Sequence, residues 1–121
     1  MNHTIVIALS LAKTATSLRY PFDAQTPVLY VGSKMFALLG VRNGIESVNL
    51  KVDPEEAWLL RQQYPGTVIP GYHMNKKHWN TVLLNGAVSD AEFEAMLEQS
   101  YRLVVNKLTK SERMELFGNN G

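Results

Sequence analysis

The chain has 121 residues, 45% of them hydrophobic, and a formal net charge of +1, which gives no general argument for nucleic-acid binding. This length and composition predict a single domain over residues 1–121, and the absence of cysteine excludes disulfides and thiolate metal sites and fits a cytoplasmic location. No apolar run reaches the roughly 18 residues of a membrane span, so no membrane association is expected.

The first predicted element is a helix in MNHTIVIALSLAK, residues 1–13. The segment has no lysine or arginine before its apolar run, so it does not fit a secretory signal peptide. Helical spacing predicts a buried face formed by Ile5, Leu9 and Ala12, although the alternation of residues also permits a strand there.

A meander of three strands is predicted next, near residues 28–32, 35–41 and 46–52. Gly32-Ser33 and Asn43-Gly44 mark its two turns, and Asn-Gly is a preferred pair for a tight hairpin. The third strand alternates apolar with polar residues, which is typical of a strand with one buried and one wet face.

A helix is predicted to begin after Asp53, its N-cap, with Pro54 at the first helical position. It must end by Tyr64, because Pro65-Gly66 follows. The apolar stretch at residues 81–84 predicts a later strand of the same sheet.

The capping pattern of Ser89 with Glu92 predicts a long helix over residues 90–107, and Thr109 begins a last short helix that Gly118 can end. The long helix is predicted to pack on the sheet through its apolar stripe, Phe93, Leu97, Tyr101 and Val104. The predicted fold is therefore α+β, a mainly antiparallel sheet of a meander plus a later strand, with its helices packed on one face.

The stretch PGYHMNKKHWNTV, residues 70–82, is the most distinctive part of the sequence. It lies in an interval, residues 57–89, that contains no Asp or Glu. The adjacent lysines Lys76 and Lys77 have no nearby acid in the sequence and are predicted to project into water. Trp79 and Met74 are predicted to be core residues, and Asn75 to cap a short helical turn.

Catalytic and metal chemistry are weakly supported by the same stretch. His73 and His78 are five residues apart, a spacing that would place them about 140° apart around a helix, so they are poorly arranged as a metal pair. The sequence contains no nucleophile elbow and no glycine-rich phosphate loop. No metal and no cofactor are predicted, although a catalytic histidine remains an open alternative.

Four stretches carry a family resemblance: YPF at 20–22, VGSKMFALL at 31–39, VNLKVDPEEAWLLRQQYPG at 48–66 and PGYHMNKKHWNTV at 70–82. They are similar to motifs of the MmcQ/YjbR family of small bacterial proteins. The resemblance implies a fold like that of the CyaY/frataxin group, and it implies the family's customary description as DNA-binding, which rests on a proposed winged arrangement of hairpins.

A frataxin-like fold does not bring iron binding with it. An iron surface of that kind would need a row of acids on the first helix, and residues 1–22 contain no Asp or Glu. The winged arrangement also has a geometric limit. Lys34 and Arg42 flank the two turns of the meander, so they are predicted to lie at opposite ends of the sheet, about 20 Å apart.

The leading hypothesis is a non-enzymatic module that binds double-stranded DNA through weak, salt-sensitive contacts with the phosphate backbone. Lys76 and Lys77 are its predicted centre, and Lys34, Arg42 and Arg61 are its outlying contacts. The protein is expected to be a monomer.

The alternative hypothesis is a domain that binds a protein or a small anion. In it His73, Asn75, His78 and Trp79 line a pocket. An unrecognised enzyme is the third hypothesis. A convex ridge of lysines suits a duplex, whereas a concavity suits a ligand.

Overall fold

The computed structural model describes residues 1–72 and 74–118. The helices are α1 (His3–Leu11), α2 (Pro54–Gln63), α3 (Asp90–Val105) and α4 (Lys110–Phe117). The strands are β1 (Thr16–Arg19), β2 (Val28–Val31), β3 (Lys34–Arg42), β4 (Ile45–Lys51), β5 (Val68–Pro70) and β6 (Trp79–Leu83).

The strands form one antiparallel sheet in the order β1-β2-β3-β4-β6-β5. The predicted α+β class is therefore confirmed. The four predicted strands correspond to β2, β3, β4 and β6, and the predicted meander is β2-β3-β4. The likeness to the CyaY/frataxin group stays a prediction.

The two edge strands, β1 and β5, are absent from the sequence prediction. They have four and three residues, which is too short for a period of two to stand out from the surrounding loop. β5 also ends at Pro70, a residue that lacks a backbone N–H and is tolerated at the edge of a sheet.

The helices cover one face of the sheet, and the core lies between the two layers. As predicted, α3 buries Phe93, Leu97 and Val104, whereas Tyr101 is only half-buried. The strand residues of the same core cluster are Leu29, Val31, Phe36, Ala37, Leu39, Val48, Leu50, Val68 and Val82. No helix in the described ranges is long and apolar enough to cross a membrane.

Leu9 of α1 is half-buried against the core, as predicted, but the fully buried positions of the helix lie one residue later than predicted. Val6 and Ser10 are fully buried, whereas Ile5 is 43% exposed and Ala12 is also exposed. The reason lies at the start of the helix: the His3 backbone N–H donates to Glu46 Oε1 at 2.9 Å, and its ring Nε2 lies 2.9 Å from the Ser47 carbonyl oxygen. These contacts turn the positions three and seven residues after His3 inward.

Candidate nucleic-acid interface

Several lysines from separate strands and loops lie at one end of the sheet. β3 begins at Lys34, and β4 ends at Lys51 opposite Trp79, the first residue of β6. Because these neighbouring strands are antiparallel, the start of β3, the end of β4 and the start of β6 meet at one end. The turn that carries Lys76 and Lys77 directly precedes β6, so it lies at this end too.

Three lysines line an open cleft of about 390 Å³ at this end of the sheet. Lys34 and Lys51 come from the sheet, and Lys107 follows the C-terminus of α3. Met35 and Val104 complete the lining. No carboxylate is among these described lining residues, and we refer to the site as the lysine cleft.

The lysine cleft has a positive electrostatic environment. Burial lowers the pKa of Lys51 below its ordinary value of 10.5, and the positive charges of Lys107 and Lys34 lower it further. Each of these effects disfavours the charged ammonium. An anion bound in the cleft would favour the charged form and so relieve the repulsion among the three lysines.

A serine from α3 fixes the backbone at Lys51. The last pair of the β3–β4 ladder is Ala37 with Leu50. Beyond it, the Ser100 hydroxyl donates to the Phe36 carbonyl oxygen at 2.6 Å and accepts from the Lys51 N–H at 2.8 Å. Ser100 therefore bridges the two strands where their direct pairing stops.

The Lys51 side chain has a second neighbour, the ring of Trp79. The Lys51 ammonium lies 5.4 Å from the centre of that ring, a distance typical of a cation–π contact. The Trp79 side chain is buried, as predicted, with 7% exposure. Its role here is to support the lysine and to fill the core.

The turn of Lys76 and Lys77 is exposed, as predicted. The Asn75 side-chain oxygen accepts from the Lys77 N–H at 3.0 Å, and the Asn75 carbonyl accepts from the His78 N–H at 3.1 Å. The predicted capping role of Asn75 is thus confirmed. The Lys76 ammonium donates to the Gly71 carbonyl oxygen at 3.3 Å, so this lysine partly closes its own loop.

Arg61, proposed as an outlying DNA contact, is engaged within the protein. Its Nε donates to Asn80 Oδ1 at 2.7 Å, and its Nη2 donates to the carbonyl oxygens of Lys76 and, at 3.4 Å, Trp79. The guanidinium thereby ties α2 to the basic turn. In this structure Arg61 positions Lys76 and Lys77.

Arg42 lies far from the lysine cleft. It ends β3 at the β3–β4 hairpin, opposite the end at which Lys34 begins the strand, so the predicted placement at opposite ends of the sheet is confirmed. Its guanidinium carbon lies 4.6 Å from the centre of the Tyr72 ring. The structure therefore brings Lys34 together with Lys51 and Lys107, and it leaves Arg42 at the other end.

Three residues of the predicted His/Trp pocket, Asn75, His78 and Trp79, do not line the cleft. Asn75 and His78 form the turn, Trp79 is buried, and His73 lies outside the described residues. Met74, predicted to be a core residue, is only half-buried. The loop packs tightly here: a Cβ added at Gly71 would lie 2.8 Å from Trp79 Cβ, which leaves room only for glycine.

Lys51 and Lys107 were missed by sequence reasoning because the cleft is assembled from three distant parts of the chain. An interval without Asp or Glu identifies only cations that are close together along the chain. The one local signal was the position of Lys51 on the predicted wet face of β4. That prediction is wrong for most of the strand, because Ser47 and Asn49 are buried and Lys51 is half-buried. Among residues 1–72 and 74–118, no group of three histidine or acidic side chains is arranged to hold a metal.

Most of the chain is similar to a known protein family. The model of the YjbR family matches residues 11–103. This chain belongs to the YjbR family. The family predicted from the motifs is thereby confirmed, and the match includes the lysine turn, Lys34 and Lys51, while Lys107 lies beyond it.

Relatives in the family cover nearly the whole chain. The uncharacterised protein YbdF of Escherichia coli O157:H7 is 36% identical over 111 residues, which are 92% of this chain and 90% of YbdF. The uncharacterised protein YjbR of Escherichia coli K12 is 34% identical over 113 residues, which are 93% of this chain and 95% of YjbR.

Two solved structures are similar to this chain in fold and sequence. The crystal structure of Deinococcus radiodurans protein DR2400, which has a DUF419 domain, matches with a TM-score of 0.88 and 38% identity over 95% of this chain and 87% of that one. A crystal structure of a Pseudomonas syringae protein matches with a TM-score of 0.74 and 32% identity over 85% of this chain and 98% of that one.

Proposed function

We propose that this YjbR-family protein is a non-enzymatic bacterial module that binds duplex DNA through the phosphate backbone. The binding surface is the basic end of the sheet, defined by Lys34, Lys51, Lys76, Lys77 and Lys107. The proposal includes a cytoplasmic location and a monomeric state, and it assigns no catalytic role to any residue.

The observation that carries this proposal is the lysine cleft. Three ammonium groups from separate elements line one concavity that contains no carboxylate among its described lining residues. Their mutual repulsion costs stability unless an anion is bound. The two exposed lysines of the turn add positive charge at the same end of the sheet.

The chemistry of the basic end favours phosphate over base edges. All five of its cations are lysines, which act as point charges toward phosphate. Arg61, whose fork could read a guanine edge, is engaged in hydrogen bonds within the protein, and the Trp79 ring is buried and cannot stack on a base. Binding is therefore expected to depend little on DNA sequence.

Fluorescence anisotropy with a labelled short duplex at low salt tests this proposal. The double variant Lys34→Gln/Lys107→Gln should weaken binding about tenfold or more. Each lost phosphate contact lowers the number of counterions that the DNA releases on binding, and that release favours the complex. Arg102→Gln is the matched control for Lys107, because it removes a nearby cation, on the last turn of α3, at a side chain that pairs with Glu98. Equal losses in Lys107→Gln and Arg102→Gln would contradict a specific basic end.

One observation favours a second candidate, a small-anion site. The cleft is concave, and a concavity suits a compact ligand such as inorganic phosphate. The two candidates differ in their need for the turn: duplex binding should require Lys76 and Lys77, whereas a small anion held in the cleft should not. Two results together would favour the small anion. Inorganic phosphate would still shift the NMR signals of Lys51 in the Lys76→Gln/Lys77→Gln variant, and wild type would show no affinity for duplex DNA.

A further inference from the structure

A second concavity lies on the helical side of the sheet and plays no part in the proposed DNA surface. It is a groove of about 510 Å³, with α2 on one side and α3 on the other. Strands β4 and β6 form its floor through Leu50, Asn80 and Val82. We call it the α2–α3 groove. Its volume falls in the range typical of sites for small organic ligands.

The interior of the α2–α3 groove is mainly apolar. Leu50 and Val82 on the floor are almost fully buried, and Leu60 from α2 and Met96 from α3 form its walls. An aliphatic chain laid over these residues would lose its contact with water, which is favourable in proportion to the apolar area removed.

The rim of the groove is acidic. Its carboxylates are Asp53, Glu56 and Glu92. In the described structure none of the three carboxylates forms a hydrogen bond or an ion pair. Asp53 occupies the N-cap position of α2, as predicted, yet its side chain makes no capping hydrogen bond, whereas the Ser89 side chain caps α3.

Lys51, the one cation among the described residues that line the groove, does not neutralise this rim. The Lys51 ammonium lies 5.4 Å from the centre of the Trp79 ring and belongs to the lysine cleft. Helix N-termini favour carboxylates, which accounts for acids in the first turns of α2 and α3. That preference alone does not require the acids of both helices to line the same apolar groove.

The acids stand at opposite ends of the groove. α2 starts beside the end of β4 and runs away from it, whereas α3 runs back toward it, since Ser100 contacts Lys51. Asp53 is thus near the level of Gln99 and Ser100. Glu92 is seven residues before Gln99, which is about 10 Å along the helix axis. A mainly apolar floor, Leu50 and Val82 with Asn80, therefore separates carboxylates at the two ends of the groove.

We propose that the α2–α3 groove binds a linear aliphatic diamine or polyamine. Its methylene chain lies on the apolar floor, one ammonium group meets Asp53 and Glu56, and the other meets Glu92. This proposal is independent of DNA binding, because the groove and the lysine cleft share only Lys51.

Titration by two-dimensional NMR with 1,7-diaminoheptane tests the proposal on the full chain. Heptylamine, with one ammonium, and 1,7-heptanediol, with none, serve as matched ligands. The diamine should shift the Met96 and Ala95 methyl signals and bind about fivefold to tenfold more tightly than heptylamine. Equal affinities for the three ligands, or shifts that avoid these methyl groups, would overturn the proposal.

Two variants distinguish binding of the diamine in the groove from non-specific attraction of its ammonium groups to acidic side chains. Glu92→Gln, which keeps a capping residue at this position, should reduce diamine affinity about fivefold to tenfold and leave heptylamine affinity unchanged. Glu94→Gln removes one acid from α3 outside the groove lining and should change neither. A loss of diamine affinity in Glu94→Gln as large as that in Glu92→Gln, or displacement of the diamine by an equal concentration of Mg²⁺, would show non-specific attraction and reject the site.

Discussion

The Lys51 backbone N–H donates to the Ser100 hydroxyl oxygen at 2.8 Å, and this single contact joins the end of a central strand to the middle of α3. The same hydroxyl donates to the Phe36 carbonyl oxygen, so both polar groups of the unpaired strand ends are satisfied by one side chain. Buried backbone groups without partners are costly. The lysine cleft therefore depends on a serine that is not among its described lining residues.

Replacing Ser100 by alanine should lower the free energy of unfolding by about 1–3 kcal/mol, because a buried N–H and a buried carbonyl each lose a partner. Urea denaturation measures this change. Ser10→Ala is the matched control: Ser10 is fully buried, and its hydroxyl has no hydrogen-bond partner among the described residues. That control should leave stability nearly unchanged. A loss in Ser10→Ala equal to that in Ser100→Ala would show that the bridge contributes nothing.

Leu97 should be a large contributor to stability, because its side chain is 1% exposed in the core beneath α3. Leu97→Ala should cost about 2–5 kcal/mol through lost burial and the cavity left behind. Leu59→Ala, at a position that is 52% exposed, should stay within about 0.5 kcal/mol. A thermal midpoint that Leu97→Ala leaves unchanged would mean that the wrong face of α3 is placed inward.

Replacement of Arg61 should lower the free energy of unfolding much more than replacement of Lys77, although both side chains carry a positive charge. Arg61→Ala removes three hydrogen bonds, to Asn80 and two backbone carbonyls, and should cost about 1–3 kcal/mol. Lys77→Ala should cost less than about 0.5 kcal/mol, because the side chain is exposed. Chemical denaturation compares the two, and a stable Arg61→Ala variant would return Arg61 to the DNA-contact hypothesis.

The Lys51 ammonium should titrate below its ordinary pKa of 10.5, and the titration can be followed by the NMR signals of its side chain. Lys107→Gln should raise the pKa of Lys51 toward 10.5, since one repelling charge is removed. Arg102→Gln should leave it unchanged. A pKa of Lys51 that does not respond to Lys107→Gln would show that the charges of the cleft do not interact.

The lowered pKa of Lys51 also predicts the direction in which stability changes with pH. At neutral pH the ammonium is charged in both states, and the folded state disfavours that charge. As the pH rises through the folded-state pKa toward 10.5, the folded state loses its proton first, so the contribution of Lys51 to stability becomes more favourable. Lys51→Met should remove this rise, which pH-dependent urea denaturation can measure.

The β3–β4 hairpin and the starts of α3 and α4 were predictable because their signals in the sequence are local. Asn43-Gly44 fixes a tight hairpin, and both residues have the positive φ that such a turn requires. The side chains of Ser89 and Thr109 cap α3 and α4 as the capping pattern predicts. In both cases residues within one turn of the chain determine the result.

The candidate site was only partly predictable because its contacts are long-range. Lys76 and Lys77 are neighbours in the sequence, so their exposure followed from composition. Lys107 joins Lys51 only through the packing of α3 on the sheet, and Arg61 reaches the turn only because α2 lies beside β6. A side chain's partner across the fold is set by tertiary packing, which no local pattern specifies.

The most direct test of phosphate binding at the basic end is the salt dependence of duplex binding, measured from low to moderate salt for wild type and for Lys34→Gln/Lys107→Gln. Each phosphate neutralised contributes about −0.9 to the log–log slope, so the double variant should reduce the slope by about 1.8. Arg102→Gln should leave the slope unchanged. A wild-type protein that shows no affinity for duplex at low salt, or a slope unaffected by loss of both lysines, would contradict a phosphate-binding basic end.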